Sequence, residues 1–149
     1  MTDVCMIIGA GAGIGGHVGK RFAAEGYHAA LCRRSDQQGL DQMVSEIEAA
    51  DGQASGHLLN AVDEGAIEKL IDEVEADIGP INVLVYNLGA QIGNRSLADT
   101  PLKTFELGWR MGTLCLFRVA QKLFPKMVER GGGALLVTSA TSAMHHLRK

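Results

Sequence analysis

The chain has 149 residues, of which 46% are hydrophobic and 21% charged, a globular composition that excludes a disordered segment. Its net charge of −3 and pI of about 5.9 argue against the broad basic footprint of a nucleic-acid binder. The longest uncharged stretch, Val4 to Gly19, is interrupted by glycines and by His17, which makes it a poor membrane span.

Short apolar runs alternate with helical periods along the chain. Val4 to Ile8 reads as a buried strand, followed by a glycine-rich turn and a helix from about Ile14 to Glu25 that Gly26 stops. His28 to Cys32 is a second strand. Leu40, Met43, Val44 and Ile47 recur at i, i+3, i+4 and i+7, one apolar face of a helix that Gly52 closes. Gln53 to Leu59 is a weaker strand. Ile67, Leu70, Ile71, Val74 and Ile78 repeat the helical spacing until Gly79-Pro80, and Ile81 to Tyr86 forms a fourth strand. Thr100-Pro101 is an N-cap and N1 pair for a long helix reaching about Glu129. After a turn at Gly131 to Gly133, Ala134 to Thr138 is the fifth strand. Apolar strands alternating with amphipathic helices predict an α/β fold, a Rossmann-type doubly wound parallel sheet. Right-handed crossovers with a reversal after the third strand give the order 3-2-1-4-5.

The most informative motif is Gly9-Ala10-Gly11-Ala12-Gly13-Ile14-Gly15, placed between strand and helix. Glycines there let the backbone approach a pyrophosphate, and the helix N-terminus supplies free N–H donors. The competing reading is a tight turn with no ligand. At the end of the second strand, NAD-selective sites carry an acidic residue that binds the ribose 2′-OH. Here Cys32 is followed by Arg33 and Arg34. Two guanidinium groups suit a 2′-phosphate, so NADP is favoured over NAD. The other reading is a solvated basic pair.

The order of these features resembles the short-chain dehydrogenase/reductase family, in an atypical branch and over its N-terminal cofactor-binding part only. The family's Thr-Gly-x-x-x-Gly-x-Gly turn matches Gly9, Gly13 and Gly15, with Ile8 in place of Thr. Its Asn-Asn-Ala-Gly motif is similar to Tyr86-Asn87-Leu88-Gly89, and the segments from Gly79 to Val85 and from Arg130 to Ser139 are also family-like. The resemblance implies that Gly9, Gly13 and Gly15 shape the phosphate turn, with Ile14 against the cofactor. It places Arg33 and Arg34 at the 2′ position. Asn60 falls where many members hold the adenine amino group with Asp, and Asn87 and Gly89 would line the adenosine-ribose side. Asn87 and Gly89 also have structural readings, as a tie between strand ends and as a turn.

The resemblance further implies hydride transfer between NADP(H) and a carbonyl or alcohol substrate, but the catalytic positions depart from the family. The Asn position, seven residues after Phe105, is Gly112, and the Ser position is Ala140. Ser139, Thr141 and Ser142 flank Ala140. A Tyr-x-x-x-Lys pair should follow Ala140, yet only nine residues do. No catalytic residue is therefore assigned. The expectation is that residues 1–149 are one NADP-binding Rossmann domain, C-terminally incomplete after the fifth strand and inactive by itself; the alternative is a non-catalytic NADP-binding or interaction module. His145-His146 lacks a third ligand, so no metal is expected. Cys5, Cys32 and Cys115 read as buried cytosolic thiols. With no basic n-region at the start, the location is read as cytoplasmic. Core packing is the default reading for Phe117, and part of the set Phe105, Trp109 and Phe117 is a candidate interface. The apolar run Ala134 to Thr138 would be an unprotected sheet edge, so a homo-oligomer is expected.

Overall fold

The computed structural model describes residues 2–89 and 96–139. Its strands are β1 (Val4–Ile8), β2 (His28–Arg33), β3 (Gln53–Leu58), β4 (Ile81–Tyr86) and β5 (Ala134–Val137); its helices are α1 (Ile14–Ala24), α2 (Gln37–Glu48), α3 (Ala66–Asp77), α4 (Leu102–Trp109) and α5 (Cys115–Glu129). The five strands form one parallel sheet in the order β3-β2-β1-β4-β5, the order expected from the alternating pattern.

Strand side chains alternate between two cores because successive Cβ atoms point to opposite faces. Met6, Ile8, Leu84 and Tyr86 pack with Ile67, Ile71 and Val74 of α3 and with Val119, Leu123 and Met127 of α5. Cys5, Ile7, Leu31 and Val85 pack with Ala23 of α1 and Leu40, Met43 and Ile47 of α2. Every residue of β1 is buried, which explains why it carries no polar alternation. All three cysteines are buried and free. Burial pushes the Cys5 thiol up to about 12 and raises Cys32 as well, so neither supplies a reactive thiolate.

Electrostatics join α3 to α5. Glu68 pairs with Arg118 at 2.6 Å, Asp72 with Lys122 at 2.6 Å and Lys126 at 3.0 Å, and Glu75 with Lys126 at 2.8 Å and Arg130 at 2.6 Å. The acids are spaced at i, i+4 and i+7 and meet bases on the neighbouring helix.

Four local expectations change. Pro101, not Thr100, is the N-cap of α4, with φ −64° and ψ 141°; the Thr100 hydroxyl instead donates to the Ser96 carbonyl at 2.8 Å. The long helix is interrupted by a π turn at Arg110–Leu114, because the Tyr86 hydroxyl donates to the Met111 carbonyl. The left-handed residue closing α2 is Asp51, with φ 60°. Phe117 is 60% exposed, so core packing does not describe it: the buried stripe of α5 is Cys115, Val119, Leu123 and Met127, and Phe117 falls off that spacing.

At the other sheet edge, His28, Ser55 and His57 form a chain across β2 and β3. The Ser55 hydroxyl lies 2.9 Å from His28 Nε2 and 2.8 Å from His57 Nε2. Burial lowers the pKa of both imidazoles; the neighbouring His57 lowers His28 further, while Glu73 of α3 acts in the opposite sense on His57. An unfolded His binds its proton near 6.5, whereas the folded pair resists it. This contribution to stability is complete above that pH and declines as pH falls through it. The thermal midpoint should therefore drop between about pH 7.5 and about pH 5.5. The slope should flatten in a variant carrying His28→Gln and His57→Gln; an unchanged slope would rule out these histidines as its source.

Candidate functional site

The strand order reverses between β1 and β4, and an open α/β sheet binds ligands at such a switch point, beyond the carboxyl ends of its strands. The glycine turn lies there. Gly9 has φ +95°, and a Cβ on it would come within 2.5 Å of the Asn87 carbonyl oxygen. A Cβ on Gly15 would lie 2.2 Å from the Gly9 oxygen. These two glycines are demanded by close backbone packing. Gly11 and Gly13 differ, since a Cβ on either would meet nothing within 4 Å. They border an open cradle at the start of α1. Gly13 is the N-cap of α1 and makes no side-chain cap; the Gly16 N–H donates to the Gly11 carbonyl at 2.8 Å, so the Ile14 and Gly15 N–H groups are the ones left for an anion or water. Ile14 is 63% exposed at this helix start.

Two adjoining cavities continue from the turn. One, of about 290 Å³, is lined by Ile8, Gly9, Gly11, Cys32, Arg33, Arg34, Ser35, Leu59 and Leu88. The second, of about 310 Å³, is lined by Arg34, Leu59, Asn60, Ala61, Val62, Leu88, Gly89, Leu107 and Met111. The structure thus brings Gly9, Arg33 and Arg34 to one cavity and Arg34, Asn60 and Gly89 to the next. Asn60 donates from Nδ2 to Asp63 Oδ1 at 2.7 Å, which turns its amide and leaves the side-chain oxygen as an acceptor.

Asn87 is committed to the scaffold. Its Nδ2 donates to the Gly9 carbonyl at 2.9 Å, and its Oδ1 accepts from the Thr138 hydroxyl at 2.9 Å. One amide therefore joins the ends of β1, β4 and β5, which is the structural reading of this residue. Arg118 braces the loop next to Asn60. Its guanidinium donates to the carbonyls of Ala61 and Asp63 while paired with Glu68. The Arg110 guanidinium donates to the Val62 carbonyl at 3.1 Å. Neither arginine could be assigned this role from the sequence, because each reaches a loop about fifty positions away. Neither tyrosine opens into the cleft: Tyr27 packs edge-on against Phe22, and Tyr86 is 1% exposed, its hydroxyl buried against the Met111 carbonyl behind the wall of the second cavity and its pKa raised chiefly by burial. Ser139 is exposed just past β5. Ala140, Thr141, Ser142, His145 and His146 lie outside the described residues. Among the described residues, no group of three His, Cys, Asp or Glu side chains is arranged to hold a metal ion, and no helix is long and apolar enough to cross a membrane.

The family model for short chain dehydrogenases matches residues 3–148. The chain belongs to the short-chain dehydrogenase family. The 7alpha-hydroxysteroid dehydrogenase of Escherichia coli strain K12 is 29% identical over 140 residues, covering 93% of this chain and 54% of that protein. The 3-oxoacyl-[acyl-carrier-protein] reductase FabG of Thermotoga maritima is 27% identical over 142 residues, covering 95% and 57%. Among solved structures, a variant of actinorhodin polyketide ketoreductase with NADPH superposes with a TM-score of 0.89 at 26% identity, covering 98% of this chain and 56% of that one. A 7α-hydroxysteroid dehydrogenase complexed with NADH and a 7-oxo bile acid gives 0.87 at 27% identity, covering 97% and 56%. This short-chain dehydrogenase chain spans about half the length of the curated relatives it matches. The two structures named above carry NADPH and NADH, respectively.

Proposed function

We propose that this chain is the dinucleotide-binding part of an NADP(H)-dependent oxidoreductase acting between a carbonyl and an alcohol. The observation that carries the reading is the open cradle above Gly11 and Gly13, continuous with a cavity walled by two arginines. The N–H groups at the start of α1 would hold the pyrophosphate, with Ile14 against the cofactor. Arg33 and Arg34 face the ribose 2′ position, and a 2′-phosphate there gains charge-assisted hydrogen bonds. Asn60 would border the adenine, its side-chain oxygen accepting from the adenine amino group, and Asn87 and Gly89 would line the adenosine-ribose side. When bound, the nicotinamide supplies or accepts the hydride.

Reducing a carbonyl also needs a proton donor within hydrogen-bond reach of the substrate oxygen. Gly112 and Ala140 stand at two of the family's usual polar positions, and neither tyrosine hydroxyl opens into the cleft. The chain itself is accordingly proposed to bind NADP(H) without turning over a carbonyl. Measurable NADPH oxidation with a panel of ketones would contradict this; tight binding without turnover supports it and the binding-module alternative equally. Cofactor choice has its own test. NADPH should bind at least about tenfold more tightly than NADH, equivalent to about 1.4 kcal/mol, and the Arg33→Ala, Arg34→Ala double variant should erase the difference. Equal affinities in the native chain would sink the preference.

A second proposal, self-association, is favoured by β5, which is an edge strand of the sheet among the described residues. Leu136 and Val137 are 47% and 49% exposed, and Phe105, Trp109 and Phe117 are also exposed. Open apolar strand edges template pairing with another chain. Light scattering should report a dimer or larger species, and a stable monomer at high concentration would refute this.

A further inference from the structure

The two arginines of the 2′ site are not equivalent. Arg33 Nη2 lies 3.1 Å from Asp36 Oδ2. Asp36 is held in that place by its own backbone and by α2. It adopts φ 71°, ψ 69° at the N-cap, and its Oδ1 accepts the Gly39 N–H at 2.9 Å. The arrangement is tightly packed, since a Cβ on Gly39 would lie 2.5 Å from Asp36 Oδ2 and 2.8 Å from Arg33 Nη1. Arg34 is exposed, and among the described residues it makes no ion pair. It lines both cavities described above, whereas Arg33 lines the one nearer the glycine turn and a third, of about 210 Å³, that it shares with Asp36, Ala12, Gly16 and Lys20.

Resting on the dinucleotide-binding reading above, we propose that Asp36 is a specificity-determining residue. It neutralises Arg33 and places a carboxylate beside the 2′ position, so that discrimination in favour of NADP(H) rests on Arg34 and is smaller than two free arginines would give. A phosphate bonded to Arg33 must share that guanidinium with the Asp36 carboxylate, and like charges so close repel. The 2′-hydroxyl of NAD(H) carries no charge and meets no such repulsion. Asp36 thereby narrows the gap between the two cofactors by weakening only the phosphorylated one.

Asp36→Asn tests this without disturbing the fold, because Asn tolerates the left-handed conformation and keeps an oxygen for the Gly39 N–H. NADP⁺ and NAD⁺ dissociation constants are measured by calorimetric titration of the native chain and its variants, each checked by its thermal midpoint. In Asp36→Asn, NADP⁺ should bind about three- to tenfold more tightly, with NAD⁺ unchanged. Adding Arg33→Ala to Asp36→Asn should remove the gain. In the native background, Arg34→Ala should weaken NADP⁺ by about tenfold or more, and Arg33→Ala by less than about threefold. An unchanged NADP⁺ to NAD⁺ ratio in Asp36→Asn would overturn the role of Asp36 while leaving the functional reading intact. Failure of the native chain to bind either dinucleotide would overturn both.

Discussion

Replacing Gly13 with valine should leave the fold intact and weaken dinucleotide binding at least about 100-fold, or about 2.7 kcal/mol. A Cβ at Gly13 meets no protein atom within 4 Å. The added methyl groups would occupy the space proposed for the pyrophosphate. The neighbouring glycines should behave in the opposite way. Gly15→Ala sets a methyl 2.2 Å from the Gly9 oxygen and 2.9 Å from Ala10 Cα, and backbone on both sides leaves no flexible group to yield. Overpacking of this kind costs about 1–3 kcal/mol. Gly9→Ala adds the left-handed penalty, roughly 1–2 kcal/mol, to a clash with the Asn87 carbonyl. Denaturant midpoints should therefore fall further for Gly9→Ala and Gly15→Ala, which clash with backbone, than for Gly13→Val, which does not. Normal NADPH binding by Gly13→Val would reduce the open cradle to a structural turn.

The second large effect is expected at Glu75. This carboxylate is the hub between α3, α5 and β4. It accepts from Lys126 at 2.8 Å, from Arg130 at 2.6 Å and from the Ile81 backbone N–H at 3.2 Å, with its side chain only 12% exposed. Burial alone would raise its pKa, yet the hydrogen bonds from Lys126, Arg130 and Ile81 together outweigh burial and hold it below the ordinary carboxylate value. Glu75→Ala leaves the Ile81 N–H without its acceptor, Arg130 without its ion-pair partner and Lys126 with Asp72 alone, and hydrogen bonds to charged groups contribute about 1.5–3 kcal/mol each in favourable cases. We expect a loss of about 2–3 kcal/mol from the denaturant midpoint. Because the folded pKa is lowered, this stabilisation is fully present above the unfolded value of 4.5 and is lost as pH falls through the folded pKa. Stability profiles of the native chain and Glu75→Ala should therefore converge in acid. A constant gap at all pH values would show that Glu75 acts by packing and not by charge.

Hydrophobic periodicity in the amino-acid sequence was sufficient to determine the five strands, the helices between them and the 3-2-1-4-5 order. A strand that reads Val-Cys-Met-Ile-Ile must be covered on both faces, and right-handed crossovers then leave few arrangements. The glycine spacing likewise located the turn and, with the two arginines, the cavity beside it. The interruption of the long helix was not legible, because it depends on the Tyr86 hydroxyl reaching the Met111 carbonyl, 25 positions away. Phe117 was assigned to the core by default, and only the docking of α5 through Cys115, Val119, Leu123 and Met127 turned it outward. Asn87 matched a cofactor motif, and only the fold adds that one N–H and the oxygen of its amide tie three strand ends together. Arg33 and Arg34 read alike as adjacent basic residues. The left-handed turn at Asp36 separated them, since it brought a carboxylate to one guanidinium and none to the other. Local pattern decided which elements exist, because burial is periodic along the chain. Tertiary packing decided which polar groups remain available for chemistry, because their partners come from distant segments.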